Sequence, residues 1–272
     1  RYLPKIATGE IIGAYCLTEP SSGSDAASLK ATAEKKNGYY LVNGTKCFVT
    51  NGGYADLFIV YARTNPDLPK AKGISAFLIE KKFEGVKVGP AEEKMGIRAS
   101  STVTLYLEDC KVPQENLLGE ENKGFTIAMS TLDGGRIGVA AQSLGIAEAA
   151  FEKVVEYVKQ RTQFGKKLSE YESIQWKISE MATNIDAARL LTYRAAKMRD
   201  KNLPHSREAS MAKLFASTMC NKVVRDAVQI LGGFGYFEES FVAKLFRDQR
   251  ITELYEGTSE VQKIVIARQI LK

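Results

Sequence analysis

Histidine occurs once in the 272 residues. His205 follows Pro204 in a polar stretch with no second histidine or cysteine nearby. That leaves no multi-histidine metal site and no basis for Ser-His-Asp or Cys-His chemistry. The four cysteines, Cys16, Cys47, Cys110 and Cys220, stand far apart with no CxxC spacing. A zinc site and a disulfide framework are therefore not expected, and a reducing compartment is. No run of eighteen apolar residues exists, so no segment is expected to span a bilayer. Blocks of like charge are missing too. The formal net charge is +6, but the lysines and arginines are interleaved with Asp and Glu. A nucleic-acid arm is not expected; the surplus reads as a mildly basic surface, or as attraction for a polyanionic ligand. Internal repeats and low-complexity linkers are absent.

What is present is an ordinary globular composition, 44% hydrophobic and 26% charged, in a length comfortable for two domains. From Ile11 to about Val112 the pattern has strand character: IIGAYCL, GYYLV, KCFVT, LFIVYAR, GISAFLI and TVTLYLEDCKV are short β-branched and aromatic runs. Asn37-Gly38, Asn43-Gly44 and Asn51-Gly52 between them read as hairpin turns, because both residues tolerate positive φ. From about Asn122 the period changes. Ile174, Ile178, Met181, Ile185 and Ala188 form one helical stripe. Met211, Leu214, Phe215 and Thr218 begin another, Phe151, Val154, Val155 and Val158 mark an earlier helix, and Val261, Ile264, Val265 and Arg268 a last one. The expected fold class is α+β in two domains: an antiparallel β-barrel or sandwich over 1–120, then an antiparallel α-helical four-helix bundle over 121–272. Strands and helices do not alternate, so a Rossmann sheet is disfavoured. The glycines of LGGFG at 231–235 follow a helix and read as its C-terminal stop.

Six stretches together resemble one family. They are YCLTEPSSGSDA at 15–26, CFVTNGG at 47–53, LDGGR at 132–136, RTQFGKKL at 161–168, DAVQILGGFGY at 226–236 and ITELYEGTSEVQKIVIARQIL at 251–271. In this order they resemble the acyl-CoA dehydrogenases, most closely the short-chain, butyryl-CoA type. The resemblance covers essentially the whole chain. It implies FAD-dependent α,β-dehydrogenation of an acyl-CoA to the trans-2-enoyl-CoA.

Glu256 stands in Leu-Tyr-Glu-Gly, with Thr258, Ser259 and Glu260 reading as the first turn of a helix. On pattern alone it is an acid near a helix N-terminus. The resemblance makes it the catalytic base, its backbone N–H helping to hold the thioester carbonyl. The isovaleryl-CoA branch of the family carries its base at the position of Gly135, so here the base is expected at Glu256.

The resemblance also implies a flavin pocket. Tyr15, Leu17, Thr18 and Ser24 match contacts to the isoalloxazine or pyrophosphate, Phe48 the aromatic against the ring, and Thr50 a contact to flavin N5. From the strand pattern alone Phe48 reads as a barrel-core residue. Arg161, Gln163 and Phe164 match contacts made from a neighbouring subunit to the pyrophosphate and adenine, Gln229 and Gly233 contacts to the same nucleotide, and Thr258 and Glu260 complete the set. For substrate, Asp133 and Arg136 match contacts to coenzyme A, Tyr255 and Gly257 line the thioester region, and Arg268 matches a substrate-end contact; Ser24 is placed to reach the pantetheine or the flavin, or is there for its turn chemistry alone. The expected assembly is a homodimer or homotetramer with FAD at the interface, and the expected electron acceptor is an electron-transfer flavoprotein. The expected compartment is a bacterial cytoplasm or a mitochondrial matrix. Family members normally carry a further N-terminal helical domain. Its helices are not in this sequence, so the resemblance also admits an FAD-binding scaffold completed by a partner chain, or an oxidase-type relative.

Overall fold

The computed structural model describes all 272 residues. The chain divides into two compact units, Arg1–Lys94 with Arg98–Thr131, and Met95–Ile97 with Leu132–Lys272.

The first unit opens with a short helix, α1 (Leu3–Ala7), and is built on eight strands. They are β1 (Gly13–Cys16), β2 (Thr32–Lys35), β3 (Tyr39–Thr50), β4 (Leu57–Arg63), β5 (Ile74–Glu80), β6 (Val86–Val88), β7 (Thr102–Pro113) and β8 (Leu117–Leu118). The sheet runs β6-β7-β3-β2-β4-β5-β8, mostly antiparallel, with β1 added parallel to β4. Alternation along β3 and β7 turns Tyr40, Val42, Val49, Val103, Leu105 and Leu107 into a core that also holds Phe58 and Phe77. Tyr40 and Phe77 meet edge to face, centroids 4.9 Å apart.

The three Asn-Gly pairs have three different fates. Asn37-Gly38 does join β2 to β3, but only Gly38 takes positive φ (83°), so the turn is not the type I′ expected. Asn43-Gly44 is no turn at all. GYYLV and KCFVT are one strand, and the pair lies at a bulge where the β3–β7 register shifts. The Asn43 amide replaces the missing ladder bonds, donating to Asp109 Oδ1 (3.0 Å) and accepting from the Asp109 N–H (2.7 Å). Asn51, with φ 63°, ends β3, but the strand that follows, β4, is not paired with it.

Gly85 has the tightest backbone constraint at a positive φ in this unit. Its φ is 85°, and a Cβ there would lie 2.1 Å from the Glu108 carbonyl oxygen. Gly85→Ala should therefore cost about 3 kcal/mol or more, combining left-handed strain with a backbone clash. The urea midpoint measures it; a midpoint unmoved by the substitution would contradict this constraint.

The second unit is helical. It takes α2 (Gly124–Gln160) from Leu132 onward, the hairpin β9 (Thr162–Gln163) and β10 (Lys166–Lys167), then α3 (Glu172–Asp200), α4 (Ser206–Leu231), α5 (Gly233–Tyr236), α6 (Phe241–Gln249) and α7 (Ser259–Ile270). Gly232, with φ 62°, ends α4, its N–H bonding to the Val228 and Gln229 carbonyls, as LGGFG led one to expect. On α3 the stripe holds: Met181, Ile185 and Ala188 are buried, with Ile174 and Ile178 packed beside them. On α4 it does not. The buried face is Ala209, Ala212, Ala216, Cys220, Val223 and Ala227, whereas Met211, Leu214, Phe215 and Thr218 line a groove. Small side chains allow the closest approach between helices, so the alanines take the centre and the larger residues are left at its edge. On α7, similarly, the only buried residue is Gln262, and Ile264 is exposed.

Candidate active site

The segment entering α7 departs from regular backbone geometry. Glu256 (φ 54°) and Gly257 (φ 87°) are consecutive left-handed residues. For glycine this is free; for glutamate it is strain that the surroundings must hold. Two carbonyls do the holding. That of Glu256 accepts from Gln262 Nε2 (3.1 Å) and Arg136 Nε (3.4 Å). That of Gly257 accepts from Gln262 Nε2 and Lys213 Nζ, both at 2.8 Å. Thr258 then caps α7, its hydroxyl accepting from the Val261 N–H at 3.4 Å.

The Glu256 side chain lies against α2. A Cβ at Gly135 would sit 2.4 Å from its Oε2, so the absence of a side chain at 135 makes the space the carboxylate occupies. Burial raises the pKa of this carboxyl, and the nearby Arg136 and Lys213 charges pull it partly back. Tyr255, the preceding residue, bonds through its hydroxyl to Gln142, and burial raises its pKa as well. Arg136 is only 5% exposed. Its guanidinium bonds to Asp133 (2.6 Å), which also accepts from Ser206, and to the Glu256 carbonyl, leaving little of it open to a ligand.

Sequence reasoning missed Lys213 and Gln262. Both are fully buried, and burial pushes the Lys213 ammonium down to about 8. A signal existed: Lys213 is a charge set among Ala209, Ala212 and Ala216, where a solvated helix face would have more charges.

In the first unit, the expected flavin residues gather at the ends of two strands. Tyr15 is in β1, and Leu17 and Thr18 leave it. The Thr18 carbonyl accepts from the Cys47 N–H at 2.9 Å, which sets Thr18 beside the second bulge of β3, between Lys46 and Val49. That bulge turns Phe48 outward. With φ 57° and 72% exposure, Phe48 is not the core residue its strand pattern implied. Thr50, two residues on, is also exposed. Beneath them is a pair the sequence did not disclose: Lys46 and Glu19, 0% and 4% exposed, bonded at 2.7 Å. Glu19 also accepts the Lys30 and Ala31 N–H groups, and Lys46 donates to the Leu17 carbonyl at 3.2 Å. The TEP segment is thus tied to β3 by a buried, hydrogen-bonded ion pair. Ser24 is exposed on the loop beyond it. An outward aromatic in a strained conformation, flanked by hydroxyls, fits the face and edge of a flat heteroaromatic ring.

The remaining expected residues lie in the second unit. Phe164 and Gly165 form the β9–β10 turn, both with positive φ (49° and 80°), and Phe164 is 96% exposed at its tip. The Arg161 guanidinium lies over the Phe234 ring, 5.6 Å from its centroid. Gln163, Gln229 and Gly233 are exposed, as are Glu260 and Arg268. A cation and exposed amides beside a projecting aromatic suit a nucleotide's phosphates and base. No group of His, Cys, Asp and Glu is placed to hold a metal ion, and no helix is long and apolar enough to cross a membrane.

A β-sheet unit, a helical unit and a strained, half-buried carboxylate at the head of the last helix define a class that comparison makes specific. Residues 14–110 match the family model for the acyl-CoA dehydrogenase middle domain, and residues 122–271 that for the C-terminal domain. An acyl-CoA dehydrogenase of Bacillus subtilis (strain 168) is 51% identical over 271 residues, which are 100% of this chain and 71% of that protein. The structure of butyryl-CoA dehydrogenase from Megasphaera elsdenii superposes with a TM-score of 0.98 at 49% identity, over 100% of this chain and 71% of that one. An acyl-CoA dehydrogenase complexed with FAD from Bacillus anthracis does so with a TM-score of 0.93 at 38% identity, over 99% of this chain and 49% of that one. The chain belongs to the acyl-CoA dehydrogenase family, a family of oxidoreductases.

Proposed function

We propose that this chain catalyses the α,β-dehydrogenation of a short-chain acyl-CoA with FAD, and that Glu256 is the base. The observation that carries the reading is the Glu256 carboxylate itself, lodged against Gly135 on a left-handed backbone that two buried donors and Arg136 hold in place. The α C–H of a thioester is a weak acid, and a hydrated carboxylate is a weak base. Burial raises the basicity of Glu256, while Arg136 and Lys213 keep the ionised form accessible. The carboxylate takes the α proton and becomes the neutral acid. The Glu256 N–H, which has no partner within the chain, is free to donate to the thioester carbonyl as negative charge develops there.

Tyr15, Leu17, Thr18, Ser24, Phe48 and Thr50 would hold the ring end of FAD, and Arg161, Gln163, Phe164, Gln229, Gly233, Thr258 and Glu260 the nucleotide end. Bound there, FAD supplies the acceptor for the hydride that leaves the β carbon as the double bond forms. Tyr255 and Gly257 line the thioester; Ser24, Asp133 and Arg268 reach the coenzyme A and substrate end. The Arg136 guanidinium serves the site by fixing the Glu256 carbonyl. The exposed Phe164 on its type I′ turn supports a nucleotide contact offered to a second copy, hence a homo-oligomer. Electrons then pass to an electron-transfer flavoprotein.

Anaerobic titration of the flavin-loaded protein with butyryl-CoA tests the reading. The visible flavin band should bleach as substrate is added. A band that persists at saturating butyryl-CoA would remove this activity.

A further inference from the structure

Lys213 is a buried charge that stands behind the proposed base and outside the residues that would touch substrate or flavin. It lies in the first third of α4, fully buried on a helix that also buries Ala209, Ala212 and Ala216, with its Nζ 2.8 Å from the Gly257 carbonyl oxygen. An ammonium is costly to bury, and a neutral donor would satisfy one carbonyl at lower cost. Gln262 already supplies such a donor to the same oxygen, also at 2.8 Å. The charge is therefore not needed merely to satisfy that carbonyl. What it does face is a set of charges from three other elements: Arg136 of α2, Glu253 and Glu256 of the segment before α7, and Glu260 of α7.

We propose that Lys213 is a positioning residue for Glu256: its bond to the Gly257 carbonyl locks the left-handed Glu256–Gly257 pair that aims the carboxylate at Gly135, and its positive charge holds that carboxylate ionised. The inference rests on the reading of Glu256 as the base, but the two can fail separately. Geometry and charge come from one group, so removing the charge has a consequence that lost packing does not. Without Lys213 the burial of Glu256 is opposed by Arg136 alone, and the carboxylate must take up its proton at a higher pH. The proton-abstracting form is present only above that pH, so the acid limb of the activity profile moves upward with it.

The experiment compares Lys213→Met, Lys213→Arg and the parent as flavin-loaded enzymes. Two readouts are taken against pH: kcat/KM for butyryl-CoA, and the protonated-carboxyl band of Glu256 by infrared difference spectroscopy, assigned by its loss in Glu256→Gln. In Lys213→Met both titrations should move to higher pH by roughly one unit or more, the size expected for losing a nearby opposite charge. KM should change less than about threefold, since Lys213 does not touch substrate in this reading. Lys213→Arg should restore both titrations. A folded, flavin-loaded Lys213→Met whose titrations stay at the parental pH would overturn the proposal, as would a Lys213→Arg that fails to restore them. Should Lys213→Met not fold, Lys213→Gln keeps a donor without the charge and is judged by the same shift. If Glu256→Gln retains dehydrogenation, the base assignment falls instead, and the infrared titration tests Lys213 on its own.

Discussion

Glu256→Gln should slow reduction of bound flavin by butyryl-CoA by about a thousandfold or more, the upper part of the range for loss of a general base. Glutamine keeps the volume and the polar end of the side chain but cannot accept the α proton. The fold should survive, because the groups that hold this segment bond to the carbonyls of Glu256 and Gly257 and not to the carboxylate. Flavin retention and the thermal midpoint should accordingly remain near parental values while single-turnover reduction collapses. The sign of a small stability effect can be worked out as well. Burial raises the folded-state pKa of Glu256, so the folded chain binds its proton more tightly than the unfolded one. This group therefore favours folding at low pH, and that contribution is lost as pH rises through the raised folded value. Glutamine has no such dependence. Stopped-flow reduction under anaerobic conditions is the deciding measurement; a variant that reduces its flavin at the parental rate would take Glu256 out of the reaction.

The second large effect is expected at a residue with no functional group. Gly135→Ala adds a methyl group that would sit 2.4 Å from Glu256 Oε2 and 2.9 Å from its Cδ. The carboxylate has to move by something near an ångström. Displacement of a reacting group on that scale costs on the order of a hundredfold in rate. Stability should move the other way. Gly135 lies inside α2 at ordinary helical φ, where alanine is preferred over glycine by about 1 kcal/mol. The expected result is a variant that unfolds no earlier than the parent and reduces its flavin far more slowly. Parental reduction kinetics in Gly135→Ala would show that the carboxylate does not need the place it occupies here.

Much of this was open to reading in one dimension. The change from a period of two to one near 3.6, about Asn122, separated sheet from helices, because alternation and the helical stripe are both local consequences of burying one face. The helix stop at Gly232 was legible for a similar reason: positive φ is a property of one residue. Glu256 was legible only through its neighbours, as part of Tyr-Glu-Gly-Thr. The pattern around it spoke equally for an ordinary acid at a helix start.

The misreadings share a cause. Asn43-Gly44 has the composition of a turn, and a bulge uses the same pair; only the partner strand β7, some sixty residues on, distinguishes them. Phe48 has the composition of a core strand residue, and the register shift beside it reverses the face it presents. On α4 the apolar stripe of Met211, Leu214 and Phe215 outweighs the alanines on any hydrophobicity scale, yet the alanines are the core, because close helix packing selects for size as much as for polarity.

Sequence alone thus determined the two-part architecture and the family, and singled out the acid at 256 as the proposed base, since each depends on residues near one another in the chain. Only the tertiary structure decided what surrounds that acid. Gly135, Arg136, Lys213 and Gln262 reach it from three different helices, and the burial that raises its basicity, like the opposing charges that restrain it, exists only once those helices are packed together.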